Sequence, residues 1–314
     1  MKVLGIDTSN YTCSAALFNS EDETIKMRKQ LLPVPDGKIG LRQSQVVFEQ
    51  VRLIGKIVTE LLEGKENIQL VGVSSSPRAD KNSYMPCFLV GHSVGQAISS
   101  CVGCNLHTFS HQHGHIAAAL FSAKRLDLLQ HHSFLAFHVS GGTTDCLLVE
   151  TENYRINKTL LVGTSLDLKA GQVIDRVGAL LNLSFPAGSQ LEQLALQCQE
   201  KWNSYFPRAV LKNENCCLSG LENQCRNLQL QGKSPNYIAR FCLLSIQMTI
   251  EGMLQKAMEN YGNLPVLFSG GVMSNSILRE YFTKKYQGVF AEPKFSSDNA
   301  AGIAVLSYLE EKYA

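Results

Sequence analysis

A strand, a tight polar turn and a second strand occur twice in this chain, and that repetition narrows the possible folds more than any other feature. The first copy runs Val3-Leu4-Gly5-Ile6, then Asp7-Thr8-Ser9-Asn10-Tyr11-Thr12, then Cys13-Ser14-Ala15-Ala16-Leu17-Phe18. The second runs Leu135-Ala136-Phe137-His138-Val139, then Ser140-Gly141-Gly142-Thr143-Thr144-Asp145, then Cys146-Leu147-Leu148-Val149. Overlaying Cys146 on Cys13 sets Ser140 over Asp7 and brings the two turns into register. Small polar residues in such a turn can present backbone N–H groups and hydroxyls to a phosphate. One such hairpin says little; two of them in a chain of 314 residues predict an α/β protein of two similar lobes facing a shared nucleotide cleft.

Between the copies, residues 46–62 place Val47, Phe48, Val51, Ile54, Val58, Leu61 and Leu62 on one face of a helix. A short strand at residues 70–74 leads into a loop at 75–83, and residues 89–100 read as a buried helix. Its small residues Gly91, Gly95 and Ala97 suit close packing. Next comes Ser110-His111-Gln112-His113-Gly114-His115, opening an apolar run. His111 and His115 stand four apart, so on a helix they project from one face and can grip one transition-metal ion. The competing reading is a polar helix start, capped by Ser110, with exposed histidines. A zinc protease would need Glu at Gln112, directly after the first His.

The second half is richer in helix. Residues 170–181 and 191–199 are amphipathic, and a long helix at 238–258 is announced by Ser234-Pro235. A strand, Val266-Leu267-Phe268, then enters Ser269-Gly270-Gly271, followed by a helix from Ser276. A strand–Gly-Gly–helix turn lets backbone and a helix N-terminus approach a ligand closely. Ser296 to Asn299 cap a final helix from Ala300 to Glu310.

Composition removes whole classes of function. With 45% apolar and 18% charged residues the chain reads as globular, and no run reaches the ~18 apolar residues of a membrane span. The start lacks the design of a secretory signal, so a cytoplasmic location is expected. Ten cysteines are scattered, mostly in apolar surroundings, as reduced core-filling thiols would be. Cys101 and Cys104 form a lone CxxC, which is better read as structural. A net charge of +2 gives no general attraction for nucleic acid, so RNA contact must come from a local patch or a partner.

In order along the chain, the VLGIDTS start, HxxxH, VSGG, AGxxxD, Phe185-Pro186-Ala187-Gly188, the LSGL of residues 218–221, SGGVxxN and SDNAA together resemble the tRNA threonylcarbamoyladenosine synthase (TsaD-like) family, from Met1 to about Val305. The resemblance implies the actin-like, sugar-kinase and Hsp70-type ATPase fold, with an N-terminal lobe over 1–122, rejoined by helix 298–314, and a C-terminal lobe over 123–297. It implies one iron or zinc ion on His111, His115 and Asp298, with His138 as a possible further ligand. It also implies an adenine nucleotide (threonylcarbamoyl-AMP, ATP or AMP) against Ser140, Gly141, Gly142, Gly270 and Gly271, with Asp175, Gly188 and Asn275 reaching ribose and base. The activity implied is transfer of threonylcarbamoyl from its AMP anhydride to the exocyclic amine of adenine 37 in tRNA. A smaller relative of the same fold and an ATPase subunit are the implied partners. No catalytic side chain is assigned, since direct transfer needs no protein nucleophile.

Departures from the family pattern mark a divergent paralogue. The usual ETSCDET start has lost two acids, at Tyr11 and Thr12. The Gly-Pro-Gly loop is replaced by Ser76-Pro77-Arg78-Ala79-Asp80, the Glu of HxEGH is His113, and Thr143 follows VSGG. A nucleotide-binding relative without synthase activity, serving as a complex subunit or regulator, and a carbamoyltransferase with another acceptor are the alternatives.

Overall fold

The computed structural model describes the chain except residues 10, 34–40, 64–65, 81, 201–208 and 297–299. It divides into two compact units, the first comprising 1–132, 151–158 and 294–314, the second 133–150 and 159–293. Residues 123–132 and 151–158, which the sequence assigns to the C-terminal lobe, therefore pack with the first unit. Leu128 and Leu129 are buried there, Tyr154 stacks on Tyr313 at 4.1 Å, and Arg155 pairs with Glu310 at 2.8 Å.

The two strand–turn–strand copies open two sheets of the same topology. In the first unit β1 (Lys2–Asp7), β2 (Thr12–Asn19) and β3 (Thr24–Leu31) are antiparallel neighbours, and β4 (Leu70–Ser76) and β5 (Asn105–Ser110) extend the sheet in parallel, giving the order β3-β2-β1-β4-β5. In the second, β6 (His131–Val139), β7 (Thr144–Glu152) and β8 (Arg155–Thr164) are joined by β11 (Val266–Ser269) and β12 (Val289–Phe290). Its order β8-β7-β6-β11-β12 is the same list, again with parallel β6–β11 and β11–β12 pairs. β9 (Leu211–Lys212) and β10 (Asn215–Cys216) form a separate small ribbon.

Side chains alternate across a strand, so each sheet must cover two apolar faces. On one face of the first sheet, Leu4, Ile6, Ala15, Leu17, Val71 and Val73 meet α1 (Gln43–Leu62) and α2 (Phe88–Val102). Gly91 and Gly95 of α2 sit against Thr8 and Val73, as their small size leads one to expect. The buried stripe of α1 differs from the expected one. Val46, Gln50, Ile54, Ile57, Val58 and Leu61 face inward, whereas Phe48 and Val51 are each 61% exposed. On the other face, α3 (His111–Ser122) and α9 (Ala301–Tyr313) lie together, with Ala118 and Ala301 over Ala16. The second unit's core gathers β6, β7 and β11 with α4 (Ala170–Leu180), α5 (Gly188–Leu196), α6 (Ser219–Leu230), α7 (Pro235–Tyr261) and α8 (Ser276–Tyr286). Ser234 caps α7 by accepting the Tyr237 N–H at 3.2 Å. No helix among the described residues is long and apolar enough to cross a membrane.

Contact between α3 and α9 is backbone-close. A Cβ on Gly302 would lie 1.8 Å from the Gly114 carbonyl oxygen and 2.7 Å from the Ala118 nitrogen, where neither neighbour can yield. Gly302→Ala is expected to destabilise the protein by about 2–4 kcal/mol in urea unfolding, as overpacking does. Gly55→Ala, on open α1 surface with nothing within 4 Å, should be neutral or stabilising by up to ~1 kcal/mol.

Candidate functional site

In the first unit, β5 passes straight into α3, and Ser110 caps the helix by accepting the His113 N–H at 3.2 Å. The first helical turn then carries both expected histidines on one face. Their Nε2 atoms are 2.9 Å apart and the rings stand edge to face, 4.4 Å between centroids. Behind His111 lies Asp7, at the end of β1 and fully buried, its carboxylate oxygens 3.1 and 3.2 Å from Nδ1. Ser9 donates to the same carboxylate at 2.9 Å, and Ser74 at the end of β4 donates as well. A carboxylate at Nδ1 favours the tautomer that leaves the Nε2 lone pair as a donor to metal. The donor set thus fits a divalent ion of the iron or zinc type, with two convergent imidazoles. Asp298, the implied third ligand, lies outside the described residues. Among those described, no group of three His, Cys, Asp or Glu forms a complete metal site.

His113 points to the other side of α3. It is buried, its Nε2 has no hydrogen-bond partner among the described residues, and burial pulls its pKa down to about 4, so it is neutral near pH 7. The first turn is less open to a phosphate than its composition suggests. Thr8 and Ser9 are buried; Thr8 donates to the Cys87 carbonyl at 2.9 Å and accepts from Gly91, and Ser14 donates to the Asp7 carbonyl. These hydroxyls hold the turn together.

In the second unit the Ser140–Thr143 turn is closed by its own serine. The Ser140 hydroxyl accepts the N–H groups of Gly142 and Thr143, at 3.2 and 3.1 Å. The N-terminus of α4 abuts this turn. Gly171 donates to the Ser140 carbonyl at 3.1 Å, and a Cβ there would lie 2.6 Å from the Gly141 nitrogen. Only glycine permits that approach, which gives the AGxxxD motif its physical meaning. Beside it, Ser269 pairs with His138, and Gly270, at φ +94°, would drive a Cβ to 2.2 Å from the Val139 carbonyl oxygen. Gly141, Gly142 and Gly271 are exposed with open space at the Cβ position. The exposed glycines leave room for an anion's oxygens to approach this turn, while the first N–H groups of α4 are already given to Thr144 and Ser140.

The other expected residues divide. Asp175, one turn along α4, accepts the Ala187 N–H at 2.9 Å and so fixes the turn leading to Gly188, which opens α5 with nothing near its Cβ position. Asn275 uses its carbonyl oxygen to cap α8, accepting from Ile277 and Leu278. Ser269 donates to the Phe137 carbonyl at 3.1 Å, so its oxygen accepts from His138 Nδ1 at 3.0 Å. That arrangement leaves His138 with Nε2 as its basic nitrogen. Burial pushes the Cys13 thiol up to about 12, and burial likewise raises Cys146 and Cys216, so none of these is a thiolate nucleophile.

Residues 54–305 match the family model for TsaD, tRNA N6-adenosine threonylcarbamoyltransferase. This chain belongs to that family. A Streptococcus pneumoniae serotype 2 protein named tRNA N6-adenosine threonylcarbamoyltransferase is 31% identical over 325 residues, covering 98% of this chain and 92% of its own. By fold, the chain is similar to component A of (R)-2-hydroxyglutaryl-CoA dehydratase from Acidaminococcus fermentans (TM-score 0.56, 16% identity, 99% of both chains). It is also similar to a ROK family glucokinase from Streptomyces griseus (TM-score 0.53, 13% identity, 98% and 99% of the chains). These likenesses establish the actin-like, sugar-kinase-like fold.

If the histidine pair holds metal, the protein should carry close to one iron or zinc ion per chain by elemental analysis. The His111→Ala/His115→Ala double variant should lose it while retaining wild-type circular dichroism. Equal metal in both proteins would exclude the pair.

Proposed function

We propose that this protein transfers a threonylcarbamoyl group from threonylcarbamoyl-AMP to the exocyclic amine of adenine 37 in tRNA. The observation that carries the reading is the convergent His111–His115 pair, backed by a buried carboxylate, in a chain that belongs to the threonylcarbamoyltransferase family. His111 and His115, with Asp298 as a further candidate, would hold an iron or zinc ion, which would supply orientation and polarisation of the carbamoyl carbonyl. The remaining work falls to the chain's own groups. The open Gly141–Gly142 edge of the turn leaves room for the phosphate of the AMP leaving group, while Asp175 and the Ala187–Gly188 turn border the adenosine; the first N–H groups of α4 are already given to Thr144 and Ser140. The amine nitrogen bonds to the carbamoyl carbon, the bond from that carbon to the AMP phosphate oxygen breaks, and the amine gives up a proton. On this reading transfer is direct, with no protein nucleophile, and the buried Cys13, Cys146 and Cys216, whose thiols burial holds protonated, take no part.

Partners enter through the same reading. Val51, Ile54, Leu89, Val90, Ser93 and Val94 line an apolar groove of about 300 Å³ on α1 and α2, beside exposed Phe48. This face supports docking of a smaller protein of the same fold, with an ATPase subunit completing the assembly. The first turn, with Tyr11 and Thr12 in place of the family's acids, favours the second reading, a nucleotide-binding subunit without synthase activity.

One measurement tests the nucleotide site common to both readings, and a second separates them. AMP or ATP should raise the melting temperature of the wild-type protein. Gly141→Trp or Gly271→Trp should remove that shift at unchanged basal stability, whereas Gly270 substitutions should disturb the fold itself. A shift surviving both open-site variants would place the nucleotide elsewhere. With threonylcarbamoyl-AMP and unmodified tRNA, the isolated chain should form product slowly or not at all, and partner subunits should restore formation. Absence of product with partners present would favour the subunit reading.

A further inference from the structure

We infer that Asp7 is a positioning residue for the candidate metal pair: it holds His111 by Nδ1 and so commits Nε2 to the face shared with His115. The inference rests on the metal reading above and names a residue outside the ligand set. Asp7 meets His111 at the Nδ1 edge, at 3.1 and 3.2 Å, while the contact with His115 is made by Nε2. A carboxylate on that edge is behind the donor nitrogen and is not itself a ligand.

A fully buried carboxylate is costly unless its lone pairs are met. Here they are met from three elements: Ser9 from the turn after β1, Ser74 from the end of β4, and His111 from the start of α3. Because β1 and β4 are parallel neighbours, with Ile6 opposite Val73, the sheet itself sets the place of the acid. The imidazole must then orient to it. Carboxylate–histidine pairs of this kind fix the ring tautomer and raise the basicity of the other nitrogen, and losing one typically weakens metal binding by about 10- to 100-fold.

The test uses Asp7→Asn, which keeps size and removes charge, and Asp7→Glu, the acid of the usual family start. Long-range ¹H–¹⁵N spectra of ¹⁵N-labelled protein report the His111 tautomer, and Zn²⁺ and Co²⁺ titrations report affinity. Expected are the Nδ1–H tautomer in wild type, a changed tautomer population in Asp7→Asn with about 10- to 100-fold weaker binding at unchanged one-to-one stoichiometry, and recovery of both readouts in Asp7→Glu. Ser9→Ala, which removes one hydrogen bond to the acid without touching the histidine, should weaken binding only a few-fold and serves if Asp7→Asn does not fold. An Nε2–H tautomer for wild-type His111 would overturn the inference, as would equal affinity in wild type, Asp7→Asn and Ser9→Ala. Failure of wild type to bind either ion, with the Nδ1–H tautomer intact, would overturn the metal reading and leave Asp7 as the group that orients His111.

Discussion

The contact between α3 and α9 at Gly114 and Gly302 is the constraint on which the first unit's chemistry depends. Two helices without side chains at their crossing can approach until backbone meets backbone. That distance seats α3 against the sheet, and Ser110 fixes where the helix begins. With helix and start both set, His111 lies within reach of the end of β1. Asp7 waits there, held by hydroxyls of its own turn and of the neighbouring strand. A packing constraint of the backbone becomes the orientation of an imidazole.

The second unit solves a related packing problem without histidines on its helix. There α4 comes within backbone distance of the turn after β6 because Gly171 allows it, and the result is a helix N-terminus beside exposed glycines. The same sheet order underlies both units. In the first, the turn has been filled by its own buried hydroxyls and given to an acid; in the second, it has been left open with glycine.

Much of this could be read from the chain, and the failures have identifiable causes. The hairpin repeat gave away the two sheets, because two-residue periodicity and a polar turn are local signals. Helix spacing put His111 beside His115, and the Ser110 cap was equally local. What escaped was tertiary. The face of α1 that turns inward was misplaced because Phe48 and Val51 are as apolar as the residues that are buried, and Gln50, which donates to the Thr8 carbonyl, lies inside. The role of Asp7 needed knowledge that residues 104 apart meet.

On the proposed reading, His111 and His115 would hold one ion on the side away from Asp7. Anomalous diffraction at the iron and zinc absorption edges, on crystals of the full chain, reads that directly. One strong peak within bonding distance of both Nε2 atoms, with Asp7 beyond coordination distance, is the predicted result. A peak bound by the Asp7 carboxylate, or none at the histidine pair in metal-replete crystals, would contradict it.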